Sequence, residues 1–95
     1  MSKAHRDGDL RACGAETIVI GQSTVYVNGR LWAVENDPNT HTGGGLIPSG
    51  HTVFIEDKPV IVHKPDLAKV DGLEHDATED ETAEGSENVF AYEQT

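Results

Sequence analysis

The chain repeats itself with a period of 28 residues, and a fixed period constrains a fold more than any local propensity does. Ser23-Thr24-Val25-Tyr26-Val27-Asn28-Gly29-Arg30 recurs as His51-Thr52-Val53-Phe54-Ile55-Glu56-Asp57-Lys58. Each copy alternates its side chains as a strand does and closes on Asn-Gly or Glu-Asp, and Asn-Gly is the strongest short hairpin signal. A second short apolar run follows each copy, Leu31-Trp32-Ala33-Val34 and then Val60-Ile61-Val62. Another precedes it, Thr17-Ile18-Val19-Ile20 and then Leu46-Ile47. Asp9, Asp37 and Asp66 punctuate the unit at spacings of 28 and 29. Ala4-His5-Arg6-Asp7-Gly8-Asp9 reads as the closing piece of a repeat whose front is missing.

No helical period appears between residues 1 and 66. Gly21, Gly29, Gly43, Gly44, Gly45, Pro38 and Pro48 would interrupt a helix too often. The sequence therefore predicts an all-β domain of short strands and hairpins, in two pseudo-equivalent units plus a fragment. Tyr26 and Phe54 occupy the same slot and, by the period of two, face away from Val25, Val27, Val53 and Ile55. Both faces of these hairpins then need cover, and a partner is expected over Tyr26 and Phe54.

Charge divides the chain. Through Asp66 there are six Lys or Arg and eight Asp or Glu; from Leu67 onward there is one Lys, Lys69, against nine carboxylates. Residues 1–66 are accordingly expected to form the folded domain. Residues 67–95 are expected to form a non-globular acidic tail, extended or docked on a partner, because its composition cannot offset its own ordering entropy. Val89-Phe90-Ala91-Tyr92 near its end has the composition of a short strand or peptide anchor.

A body of about 66 residues builds a thin core, and chains this small usually carry a staple. Cys13 is the only cysteine, so no disulfide forms within the chain, whereas five histidines are a high count for 95 residues. A metal ion is the remaining staple. The charged N-terminus lacks the apolar run of a signal peptide, so the chain is expected to be made in the cytoplasm and to leave it only if a machine carries it.

These phrases resemble the PAAR-repeat family of spike-tip proteins. In the first unit Ala4-His5-Arg6-Asp7-Gly8-Asp9 stands for the family's opening phrase, with Cys13 four residues on and Gln22-Ser23-Thr24-Val25-Tyr26-Val27-Asn28-Gly29 as its hairpin. In the second, Trp32-Ala33-Val34-Glu35-Asn36-Asp37 stands for the phrase, His41 lies four after Asp37, and Gly50-His51-Thr52-Val53-Phe54-Ile55 is the hairpin. The likeness spans roughly residues 3 to 66; the literal Pro-Ala-Ala-Arg string is absent.

The resemblance implies a small cone-shaped domain on the end of a trimeric β-helical spike, in a contractile phage tail or a type VI secretion system. It implies one copy per trimer, a piercing contact with the target-cell envelope, and a structural metal near the point held by three histidines and a cysteine. Zinc is expected ahead of iron, on Cys13, His41, His51 and His5. His63 is the rival for the fourth place, and His75 is expected to be solvated. Four protein ligands would close the site, and no nucleophile elbow or phosphate loop is visible, so no enzymatic activity is expected. Gly43-Gly44-Gly45 lacks the Lys-Ser/Thr of a phosphate cradle and reads as close backbone approach. The alternative is a free-standing zinc module, binding or hydrolytic. Nucleic acid is disfavoured as a partner because a module for that purpose would be basic.

Overall fold

The computed structural model describes residues 2–49 and 53–91. Its strands are β1 (Ser2–Ala4), β2 (Tyr26–Val27), β3 (Arg30–Leu31), β4 (Leu46–Ile47), β5 (Phe54–Ile55), β6 (Lys58–Pro59), β7 (Val62–His63), β8 (Leu67–Ala68) and β9 (Phe90–Ala91), with no helix among the described residues. The all-β expectation holds. The two hairpins fall where the repeat puts them, β2 against β3 and β5 against β6. Asn28 and Gly29 both take positive φ, 53° and 80°, and Glu56 and Asp57 do the same at 51° and 67°. The second turn thus keeps the mirror-image geometry that suits a twisted hairpin, although neither of its residues is glycine.

The repeat has a third copy, assembled from the two ends of the described chain. β9 pairs antiparallel with β1, Phe90 opposite Lys3, as Tyr26 lies opposite Leu31 and Phe54 opposite Pro59. One residue beyond each pair the same backbone bond recurs: Ala4 N–H to Val89 O, Trp32 N–H to Val25 O, Val60 N–H to Val53 O, at 2.9, 3.1 and 3.1 Å. The three inner strands then close on one another. His5 N–H donates to Ile61 O, Ile61 N–H to Ala33 O, and Ala33 N–H to His5 O, at 3.1, 2.9 and 2.9 Å. This is a pseudo-threefold ring in which each unit hands its donor to the next.

The three punctuating aspartates do equivalent work below the ring. Asp9, Asp37 and Asp66 are each buried. Each carboxylate accepts from a backbone N–H a few residues upstream, that of Arg6, Val34 and Val62, at 2.9, 2.8 and 3.1 Å. Each also offers its backbone C=O to a later strand, from Thr17, Leu46 and Thr82. A short carboxylate is suited here because it satisfies buried N–H groups that the turn strips from the ladder.

Apolar side chains from all three units fill the centre. Ala4, Trp32 and Val60 form one matched set and Val27, Ile55 and Ala91 another, all buried in a single cluster. A second cluster gathers Val19, Ala33, Leu46, Ile61 and Ala68. Trp32 is the largest piece, and its ring N–H reaches Ile61 O at 2.9 Å.

The boundary expected after residue 66 is not present, and residues 67–91 are not an extended tail. β8 pairs with β4, β9 completes the third hairpin, and Asp71, Asp80, Thr82 and Ser86 are buried. The radius of gyration is 11.5 Å, within the roughly 12 Å of a fully compact chain this long. Self-repulsion fails as a guide because carboxylates here bond to residues from the start of the chain. Glu84 accepts from Leu10 N–H at 2.8 Å, Asp80 pairs with buried Arg11, and Glu87 meets Lys3.

Candidate metal centre

Beyond each aspartate burial alternates until the chain turns: Asp9 and Arg11 are buried and Leu10 and Ala12 exposed, and Asp37 and Asn39 are buried and Thr40 exposed. Tight turns, closed by Gly14 N–H to Arg11 O and Thr42 N–H to Asn39 O, then present Cys13 and His41 at equivalent places, with a buried polar residue behind each. The third unit supplies Asp71 and His75 from the turn after β8.

These four side chains converge. Their donor atoms all lie within 4.8 Å of one another. Cys13 Sγ is 3.8 Å from His41 Nδ1, and Asp71 Oδ2 is 3.4 Å from His41 Nδ1 and 2.9 Å from His75 Nδ1. The His41 and His75 rings are tilted at 44° with centroids 5.3 Å apart. Donors around a tetrahedral zinc stand about 3.4 to 3.8 Å apart, given bonds of about 2.0 to 2.3 Å. The cluster is close to that size. One thiolate, one carboxylate and two neutral imidazoles carry two negative charges, which a divalent ion balances.

Local electrostatics set each group up differently. Asp71 is buried, which alone would raise its pKa. Hydrogen bonds from the His75 ring and backbone, from Asn39 and from Leu73 N–H instead hold it well below the usual carboxylate range. The same contact raises His75 above the ordinary histidine value. Burial raises the Cys13 thiol, and Asp80, which accepts from Sγ at 3.2 Å, adds to the effect.

Two glycines let the turns close this tightly. At Gly44, with φ +70°, a Cβ would collide with the side chains of Asp80 and Asn39. At Gly72 a Cβ would strike the backbone oxygen of His41. The first belongs to the Gly43-Gly44-Gly45 run, which serves close approach.

Arg11 lies behind the centre, fully buried. Its N–H groups reach Thr17 Oγ1 (2.6 Å), Gly44 O (2.9 Å), Asp80 O (3.0 Å), and Asp37 O and Pro38 O (3.2 Å each). Its guanidinium also pairs with the Asp80 carboxylate at 3.3 Å. A buried charge is tolerable only when paired and fully hydrogen-bonded, and Arg11 meets both conditions.

Of the four ligands expected from sequence, the structure brings Cys13 and His41 together. His5 is inward and fully buried, but it serves another purpose. Its Nδ1 lies 2.7 Å from Glu84 O and its Nε2 2.6 Å from Thr17 Oγ1, so both ring nitrogens are occupied by the protein. His51 lies outside the described residues. His63 sits in β7 with Nδ1 3.3 Å from Thr82 Oγ1, apart from the cluster. His75 and Asp71 were missed because their segment looked solvated. The repeat register does not mark them, because the residue four after Asp66 is Val70 and the third unit reaches the cluster from further along the chain. Tyr26 and Phe54 are 61% and 58% exposed, outward as expected, and Phe90 occupies the matching slot at 42%.

Comparison with protein-family models, with curated proteins and with solved structures returns no match for this chain.

Proposed function

We propose that this chain is a structural spike tip of the PAAR kind, capping the end of a trimeric β-helical spike in a contractile injection machine. One observation carries the reading: Tyr26, Phe54 and Phe90 stand exposed at matching positions of two hairpins and the β1–β9 pair, arranged about a pseudo-threefold ring. A single chain with three similar faces suits a partner made of three identical chains. Each aromatic would meet one shaft subunit, covering the strand edges that a trimer leaves open at its end.

In each unit the chain runs from the hairpin, through the ring, to the turns that hold Cys13, His41, Asp71 and His75. On this reading the hairpins face the shaft and the metal turns form the point, driven into the target-cell envelope when the sheath contracts. Zinc on those four residues crosslinks turns from all three units, which keeps the point folded under load. The role is mechanical, with no reaction catalysed. Phage tail and secretion system are both consistent with it.

Coexpression with a trimeric β-helical spike protein tests the reading. The two should copurify at one chain per spike trimer, measured by native mass spectrometry. A chain that stays free, or binds at three per trimer, would end it.

A further inference from the structure

Asn39 is buried behind the metal cluster, and its carboxamide makes three hydrogen bonds there, two donated and one accepted. Nδ2 donates one N–H to Asp71 Oδ2 at 3.2 Å and the other to Asp80 Oδ2. Oδ1 accepts from His41 N–H at 2.9 Å. Asp80 Oδ1 accepts from the Cys13 thiol at 3.2 Å, a bond that ends when the thiol gives up its proton to ligate a metal, and Arg11 anchors Asp80 from behind. Through these bonds one side chain touches Asp71 and the His41 backbone directly.

We propose that Asn39 is the positioning residue of the centre: its amide holds Asp71 and the His41 backbone in one arrangement, leaving His75 to be placed by Asp71. The inference rests on the metal-binding reading and is independent of docking to a spike. The chemistry at position 39 is demanding. Two carboxylates face it from one side, so it must present two protons; a backbone N–H faces it from the other, so it must present an oxygen. Asparagine satisfies both conditions at this length. Aspartate has the same shape but would set a third carboxylate against Asp71 and Asp80, while an apolar side chain would take one hydrogen bond from each carboxylate and the one that the His41 N–H makes.

The same repeat register places Arg11 two residues before Cys13 as Asn39 stands two before His41. Both side chains reach Asp80. The supporting residues thus follow the pseudo-symmetry of the ligands themselves, as expected if they were built with the site.

The test uses the full chain stripped of metal and titrated with Co(II), then with Zn(II) against a chromophoric chelator. Wild type should take up about one equivalent, with the near-ultraviolet thiolate-to-cobalt band and the intense visible bands of a four-coordinate site. Cys13→Ser should lose the near-ultraviolet band. Asn39→Asp should keep the wild-type far-ultraviolet circular dichroism, bind zinc about ten- to a hundredfold more weakly, and give weakened visible bands. Wild-type affinity and spectrum in Asn39→Asp would overturn the positioning role and leave the metal centre standing. A wild-type chain that takes up no cobalt removes the centre, and the inference with it. If Asn39→Asp does not fold, side-chain amide exchange in the zinc-loaded wild type decides. The Asn39 protons should exchange at least roughly tenfold more slowly than those of exposed Asn36, and equal rates overturn the proposal.

Discussion

His5 shows what a buried histidine does when it binds no metal. Nδ1 faces a carbonyl oxygen, Glu84 O, so Nδ1 carries the proton and donates; Nε2 is therefore bare and accepts from the Thr17 hydroxyl. Thr17 Oγ1 in turn accepts from Arg11 Nε. The directed chain leaves no place for a second proton on the ring. Burial lowers the His5 pKa from 6.5 to about 4. The folded state then binds fewer protons than the unfolded one in that window, so stability rises with pH. The contribution is complete above about 6.5 and is lost as pH falls towards 4, by about 3 kcal/mol in all. Thermal unfolding of metal-stripped protein across pH 4 to 7 should show this slope, and His5→Gln should flatten it relative to wild type. An identical slope in both would assign the acid sensitivity elsewhere.

Among the elements, β9 contributes most for its length. Two residues complete a hairpin, cover one edge of β1, and add Ala91 to the central cluster beside Val89. Deleting residues 87–95 uncovers that edge and removes the matched partner of Val27 and Ile55. Losing buried Ala91 and half-buried Val89 costs about 2 kcal/mol, or roughly 8 to 16 °C of Tm for a chain this size. Differential scanning calorimetry of the truncated chain measures it directly; a Tm within a few degrees of wild type would show that β9 is dispensable. The composition of residues 67–95 hid this strand. Val89-Phe90-Ala91 matches Val25-Tyr26-Val27 and Val53-Phe54-Ile55, but the intervening acidic turns break the period of 28. Alternation and hairpin chemistry are local and were legible for the first two copies. Pairing between β1 and β9 spans most of the chain, and no local pattern encodes it. Cys13 and His41 were readable because the repeat marked them. His75 and Asp71 required knowing that the acidic segment folds back.

At the scale of the whole molecule, three units share one ring but differ in chemistry on their two ends. The metal end is heterogeneous: a thiol, an imidazole, and a carboxylate with a second imidazole. The hairpin end is uniform: an exposed aromatic from each unit. Uniformity where a trimer would dock and individuality where one ion would be held agree with the proposed role. Charge substitution discriminates the two ends. Tyr26→Asp, Phe54→Asp and Phe90→Asp are each expected to weaken spike binding in pull-down while leaving zinc uptake unchanged, since Tyr26 and Phe54 are more than half exposed and Phe90 is 42% exposed. If any of them unfolds the isolated protein, that ring belongs to the core and the docking surface lies elsewhere.

Because β1 and β9 lie side by side, the described chain is a circle opened at one of three nearly interchangeable seams. Joining its ends with a short linker and cutting instead between Asn28 and Gly29, or between Glu56 and Asp57, would move the opening to another unit while preserving every strand pair. The order in which the three units follow one another along the polypeptide is then set by the position of that seam, and the ring itself has no first repeat.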